Sequence, residues 1–266
     1  MDKHNDQSFL LGSQYKDACA LNARIQLHRF SVNKQGLLNW IFDHFDLPQE
    51  CKILELGCGT GSLWKSNSHR ISKGWAVTLT DFSKGILEQA KVNLANVPHH
   101  FEYDVVDAQD IPYANAEFDA VIADHMLYHV PDRVKALSEI KRVLEPGGKL
   151  YASTIGFGHM RELQAICDQV DPHIDLVLDG VQTEFGLENG VQQLREFFDN
   201  VGLFMYDDYL LVPEAKPVVD YIFSTSDSTP LMNEYGRDVF LNIVEQEISR
   251  NGSLKITKNS GMFVAS

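Results

Sequence analysis

No stretch of this chain holds 18 consecutive apolar residues, so it offers no membrane-spanning helix. Its opening residues, MDKHNDQSFLLGSQYKD, lack the apolar core of a secretion signal, and a cytoplasmic location is the expectation. Cysteine is sparse. Cys19, Cys51, Cys58 and Cys167 show no CxxC spacing, so free thiols are expected rather than a structural zinc site. No cluster of Asp and Asn ligands suggests another metal, and none is expected. Basic residues are also scarce: 23 Lys and Arg face 37 Asp and Glu, a formal net charge of -14. A chain of that balance does not displace counterions from nucleic acid or settle on anionic lipid, so neither is expected as substrate. A small-molecule substrate fits better, with a protein as the alternative. There is no internal repeat and no low-complexity segment.

What the sequence has is an alternation of short apolar runs with amphipathic ones. Residues 15–46 read as helical, in an early segment YKDACALNARIQLHRF and a later one KQGLLNWIFDHF, closed by Pro48. CKILEL then reads as a strand, followed by a glycine turn. WAVTLTD is a second strand, and Ser83 caps a helix with Ile86, Leu87, Ala90 and Leu94 on its apolar face. HFEYDVVD is a third strand. FDAVIAD, a fourth, is apolar throughout, as a strand buried on both faces should be. Asp132 caps a helix whose apolar positions are Val134, Leu137, Ile140, Val143 and Leu144. Pro146-Gly147-Gly148 ends it before a fifth strand, KLYASTIG. Residues 157–200 read mostly as helix. VGLFMYDDYLLVP reads as a sixth strand, KPVVDYIF and residues 231–250 as helices, and LKITKNSGMFVAS as a last strand paired with the sixth. This rhythm predicts an α/β protein with a doubly wound, mostly parallel seven-stranded sheet and an antiparallel last strand. An N-terminal helical lid (1–48), a nucleotide-type core (49–156) and a remainder with helical insertions (157–266) would form one structural domain.

The strand Ile53-Leu54-Glu55-Leu56 runs into Gly57-Cys58-Gly59-Thr60-Gly61. Glycines at alternate positions let the backbone turn sharply and come close to a ligand, at the strand end where open α/β sheets bind theirs. The dinucleotide fingerprint GxGxxG would need its third glycine one residue later, where Ser62 stands. The turn instead resembles the first motif of the class I, Rossmann-like S-adenosylmethionine-dependent methyltransferases, and the chain is similar to the bacterial subgroup of type 11/25. The resemblance continues through Asp81-Phe82-Ser83, Val106-Asp107-Ala108-Gln109, the stretch Ala123-Asp124-His125-Met126-Leu127-Tyr128-His129, and LEPGGKLY, so that it covers residues 50–156. It implies S-adenosyl-L-methionine as cofactor. Gly57, Gly59 and Gly61 would wrap its methionine part, Asp81 would take both ribose hydroxyls, and Phe82 would lie against adenine. Asp107 would read the adenine amino group and the backbone of Ala108 a ring nitrogen, with Glu55 and Asp124 completing the site. Cys58 reads as a small residue in a crowded loop.

Two further groups are expectations of the same kind. Related bacterial methyltransferases carry a comparable N-terminal helix, in which Arg24 would pair with the methionine carboxylate and Tyr15 would close over that end. His125 and His129 follow the fourth strand and are the candidate general bases, with His159 a weaker one and Tyr128 a wall of the acceptor pocket. The expected activity is methyl transfer to a small molecule. The alternatives are a nucleotide (NAD)-dependent oxidoreductase and a protein that binds S-adenosylmethionine without catalysis.

Overall fold

The structure is a computed structural model of the 266-residue chain and describes residues 26–174, 176, 181–225 and 233–266. Most of the early helical segment, including Tyr15 and Arg24, lies outside the described residues. The described elements run in the order α1 (Leu37–Asp43), β1 (Glu50–Glu55), α2 (Ser62–Ser66), β2 (Gly74–Asp81), α3 (Lys84–Leu94), β3 (Phe101–Val105), β4 (Phe118–Asp124), α4 (Arg133–Val143), β5 (Leu144–Ile155), α5 (Arg161–Val170), α6 (Val181–Phe185), α7 (Gly190–Leu194), β6 (Val201–Val212), α8 (Ala215–Thr225), α9 (Glu234–Asn251) and β7 (Leu254–Ala265). A 3-10 turn, Leu127–His129, follows β4.

The seven strands form a single sheet in the order β3-β2-β1-β4-β5-β7-β6. β1 pairs in parallel with both β2 and β4, β2 with β3, and β4 with β5, whereas β7 runs antiparallel to β5. The expected doubly wound sheet with an antiparallel last strand is what the chain forms. Its order reverses between β1 and β4, which places the glycine turn at the switch point where such sheets bind ligands.

By chain contacts the protein divides into two compact units. One comprises residues 35–156, 182–206 and 260–266; the other comprises 1–34, 157–181 and 207–259. In the first, the period of two along the strands sorts side chains into two cores. Leu54, Leu56, Val121, Ala123, Leu150 and Ala152 pack with Phe185, Phe198 and Phe263. Ile53, Val77, Leu79, Ala120, Ile122 and Tyr151 pack with Trp64, Leu87 and Met262. β4 contributes to both, which is why its sequence is an unbroken apolar run. The second unit has its own core. Phe240 and Val244 of α9, Leu163, Ile166 and Cys167 of α5, and Val218, Val219 and Ile222 of α8 meet Leu210, Val212 and Ile256 from the strands.

The capping residues stand where the sequence places them. Ser83 Oγ accepts from Ile86 N, and the Asp132 carboxylate accepts from Lys135 N. Two details differ. Val134 is exposed and Ala136 takes the buried position, because the stripe facing the sheet is Ala136, Leu137, Ile140 and Val143. Pro146-Gly147-Gly148 does not separate α4 from β5. Leu144 already pairs with Phe118, and the register shifts between Phe118 and Ala120. Gly148 is held there with its backbone so close to Asp119 O that a Cβ would lie 2.9 Å from it. The tripeptide is thus an irregularity inside the strand rather than a stop before it.

Candidate functional site

The glycine turn after β1 is built from three residues in the left-handed region: Gly57 at φ 67°, Gly59 at 55° and Gly61 at 75°. Two of the three also make a close approach that a side chain would block. A Cβ on Gly57 would lie 2.8 Å from Met126 Cβ, and one on Gly61 would lie 2.7 Å from Leu94 Cδ1. A Cβ on Gly59 would meet nothing within 4 Å, so the middle of the turn is open to a ligand.

Backbone bonds tie the turn to the ends of the neighbouring strands. Leu56 N donates to Ile122 O and Cys58 N to Thr80 O. Thr80, fully buried, donates its hydroxyl to Glu55 O at 2.7 Å. Asp81, the last residue of β2, holds two pieces of backbone at once: Oδ2 accepts from Gly59 N at 3.1 Å and Oδ1 from Ser83 N at 2.8 Å. Each oxygen keeps a further lone pair. Burial raises the Asp81 pKa, and these two N–H bonds oppose that rise. Phe82 follows with its ring 39 % exposed, available to a flat partner.

Glu55 is buried and, among the described residues, is reached by one side-chain donor, Trp64 Nε1, at 2.5 Å from Oε2. Desolvation pushes its pKa up to about 8, and the nearby carboxylates of Asp124 and Asp81 add to the rise, while the Trp64 bond works against it. Cys58 is buried next to the same carboxylates, and its thiol is pushed far above the ordinary range, chiefly by desolvation. It cannot serve as a nucleophile.

At the end of β4, Asp124 Oδ1 accepts a hydrogen bond from the Ser153 hydroxyl of β5, and His125 N donates to the same hydroxyl at 3.0 Å. His125 sits at φ 51°, a conformation that a residue with a side chain adopts at a cost. The strain turns the chain into the Leu127–His129 turn and places Met126 against Gly57. Tyr128 packs edge-on to His129, with ring centroids 4.5 Å apart, and at 6.3 Å from His125. After β3, Asp107 Oδ1 accepts from Gln109 N at 2.9 Å, and Gln109 Oε1 in turn accepts from Asp132 N. Ala108 beside it is buried.

Glu55, Gly57, Gly59, Gly61, Asp81, Phe82, Asp107, Ala108 and Asp124 therefore all stand at or just beyond the carboxyl ends of four adjacent parallel strands of one unit. His125 and His129 follow directly. His159 belongs to the other unit, where its Nδ1 accepts from Asn259 N at 3.1 Å. Sequence reasoning missed Ser153, Thr80 and Trp64, which orient the site's carboxylates and backbone. Ser153 and Thr80 had a signal, a hydroxyl inside a buried strand. Trp64 had none, since an indole one turn into a helix reads as packing.

Residues 54–152 match a family described as a methyltransferase domain. Methyltransferase GfsG of Streptomyces halstedii is 31% identical over 119 residues, which are 43% of this chain and 41% of GfsG. The ubiquinone/menaquinone biosynthesis C-methyltransferase UbiE of Desulfotalea psychrophila is 36% identical over 102 residues, 38% of this chain and 40% of the relative. The chain thus spans about two fifths of the length of these curated relatives. Among solved structures, phosphoethanolamine N-methyltransferase 2 of Haemonchus contortus in complex with S-adenosyl-L-methionine is similar with a TM-score of 0.60. That likeness covers 97% of this chain and 59% of the other at 19% identity, and speaks for the fold alone. The matched segment, residues 54–152, is similar to a methyltransferase domain, and it is the one that carries the glycine turn and the three carboxylate-bearing strand ends.

Proposed function

We propose that the protein binds S-adenosyl-L-methionine at the carboxyl ends of β1 to β4 and transfers its methyl group to a small-molecule acceptor in the cytoplasm. The observation that carries this reading is the charge around the turn. Burial raises the Glu55 pKa, and Asp124 and Asp81 are close enough to add to the rise. A dinucleotide would bring its anionic pyrophosphate against these carboxylates. S-adenosylmethionine brings a sulfonium and an ammonium, both cations, which the Asp81 and Asp124 carboxylates attract.

The bound cofactor supplies a methyl group already activated on a sulfonium, so the protein's work is placement and environment. Gly57, Gly59 and Gly61 accommodate the methionine part closely. Asp81 offers its remaining lone pairs to the ribose hydroxyls, Phe82 its exposed face to adenine, and Asp107 with the backbone of Ala108 the adenine edge. Glu55 and Asp124 face the cationic end. Arg24 and Tyr15 are proposed to close over the methionine carboxylate. Where the acceptor holds its proton at neutral pH, His125 or His129 removes it. Residues 1–48 and 157–266 are proposed as the segments that shape the acceptor pocket around the 49–156 core.

A thermal-shift experiment with S-adenosylmethionine, its demethylated product and NAD tests the reading. At about 30 times its dissociation constant a ligand adds about 2 kcal/mol of stability. The expected result is a rise with the first two and none with NAD, and stabilisation by NAD alone overturns the proposal. Asp81→Asn, which loses one carboxylate acceptor, should weaken cofactor binding by about tenfold.

A further inference from the structure

The second unit contains a cation that the methyl-transfer reading does not use. Lys258 lies on β7 and is half-buried, and its Nζ is 3.2 Å from His28 Nδ1. An ammonium has only donors, so Nδ1 is the acceptor, and the His28 ring is neutral with its proton on Nε2. One of three ammonium donors is thereby used. No carboxylate among the described residues lies within ion-pair distance of it. Asp208 is the acid whose charge reaches Lys258, from beyond ion-pair distance; its Oδ1 accepts from Ser31 Oγ at 2.7 Å and Asn33 N at 3.1 Å.

This is not for want of carboxylates, which outnumber the cations 37 to 23. Within the same unit, Lys216 and Arg237 share Asp220 at 2.5 Å each. The backbone on either side of Lys258 is fixed. Thr257 N donates to Glu162 Oε2 at 2.8 Å, and Asn259 N donates to His159 Nδ1 at 3.1 Å. The ammonium is thus held in place on a rigid strand, steered by a neutral imidazole, and left with two donors to spend. Burial lowers its pKa, and the charge of Asp208 works against that shift.

We propose that Lys258, with His28, is a binding site for an oxyanion, the carboxylate or phosphate of a small ligand that makes the direct ion pair no described carboxylate makes. Charge-assisted bonds from the two remaining ammonium donors would hold the anion, and binding would leave His28 as the acceptor of the third. The proposal does not rest on cofactor binding, so its failure and the failure of the methyltransferase reading are separate results.

The test uses the full chain, titrated with inorganic phosphate and, in a second arm, with acetate. The His28 ring resonances and calorimetry serve as readouts. The expected result is saturable binding of at least one of the two anions, with the His28 signals moving. Lys258→Met should weaken it by at least about tenfold, and Lys258→Arg, which keeps the charge, should retain it within about threefold. Binding in the phosphate arm alone assigns the site to phosphate ligands, and in the acetate arm alone to carboxylates. Absence of any His28 response to both anions in the wild type overturns the proposal, whatever the variants do. Equal affinity in the wild type and in a folded Lys258→Met protein overturns it as well.

Discussion

Glu55 and Lys258 are both drawn away from water, but the two units treat their charge in opposite ways. Around Glu55 like charges gather: desolvation raises its pKa to about 8 with Asp124 and Asp81 adding to the rise, and a single indole N–H is its only side-chain donor among the described residues. Around Lys258 the opposite charge is kept at arm's length: Asp208 acts on it without an ion pair, while its Oδ1 accepts from Ser31 and Asn33. The first arrangement suits a cation from outside and the second an anion. What decides the preference in each case is which charge the fold leaves uncompensated, and that is set by neighbours far apart in sequence.

The sharpest way to break this comparison is a pH series on Glu55→Gln. The folded-state pKa of Glu55 lies above the ordinary carboxyl value of 4.5, so between 4.5 and about 8 the folded protein holds a proton that the unfolded chain has released. Stability conferred by that neutral carboxyl is therefore full below 4.5 and is lost as the pH rises to about 8. The loss has a ceiling of about 5 kcal/mol for a shift of this size. The glutamine amide that replaces the carboxyl has no such proton to lose. The melting temperature of the variant should gain on the wild type steadily between about pH 5 and 8 and keep a constant lead above about pH 9. A difference that does not change with pH would mean that Glu55 is ionised throughout.

Next in size is Gly57→Ala. An alanine at φ 67° costs about 1–2 kcal/mol in backbone strain alone, and its Cβ would press on Met126 at 2.8 Å. The total is about 2–4 kcal/mol in thermal stability. Cofactor affinity should fall by at least about tenfold, since the turn and the His125 segment would have to move apart. Calorimetry that returns wild-type affinity would remove the turn from the site.

How much of this was legible in the sequence follows the same divide. The strand ends of the first unit could be read because backbone geometry there restricts residue type: only glycine suits three alternate left-handed positions, and a carboxylate ending β2 can hold both Gly59 and Ser83. Caps at Ser83 and Asp132 are readable for the same local reason. Trp64 was not, because an indole inside a helix reads as packing, and the partner of Ser153, though its buried hydroxyl is a signal, lies 29 residues away in the chain. The second unit gave its helices through periodicity but nothing of its chemistry. Lys258 meets His28 across 230 residues, and neither sits in a motif. The misreading of Pro146-Gly147-Gly148 has a local cause too: the tripeptide is a familiar helix stop, but Leu144 leaves the helix first and pairs with Phe118.

A smaller effect is expected from a glycine in the second unit. Gly252 ends α9 at φ 78° and a Cβ there would meet nothing within 4 Å. Gly252→Ala should cost about 1 kcal/mol, the left-handed strain without a clash. Cofactor affinity should be unchanged. Set beside Gly57→Ala, it separates the strain common to both glycines from the close approach that only the turn after β1 requires. If Gly252→Ala weakens cofactor binding as Gly57→Ala does, the division of labour between the units fails.

The smallest change, and the one opposite in sign to Glu55, is the pH dependence of Lys258→Met. The ammonium's folded pKa is lowered below 10.5 by desolvation, with the charge of Asp208 working against the shift. As the pH rises towards 10.5, the folded protein gives up this proton before the unfolded chain does, so wild-type stability recovers with rising pH instead of declining. Methionine removes the desolvated charge but strands His28 Nδ1 without this donor, a loss of about 1 kcal/mol that offsets most of the gain. The variant should therefore match or slightly exceed the wild type near about pH 6 and fall behind it by about pH 10, as the lysine becomes neutral and its bond to His28 costs no desolvated charge. Melting curves at those two pH values decide the matter. A Lys258→Met protein that gains on the wild type as the pH rises would mean that the ammonium has a compensating partner, and the contrast with Glu55 would go with it.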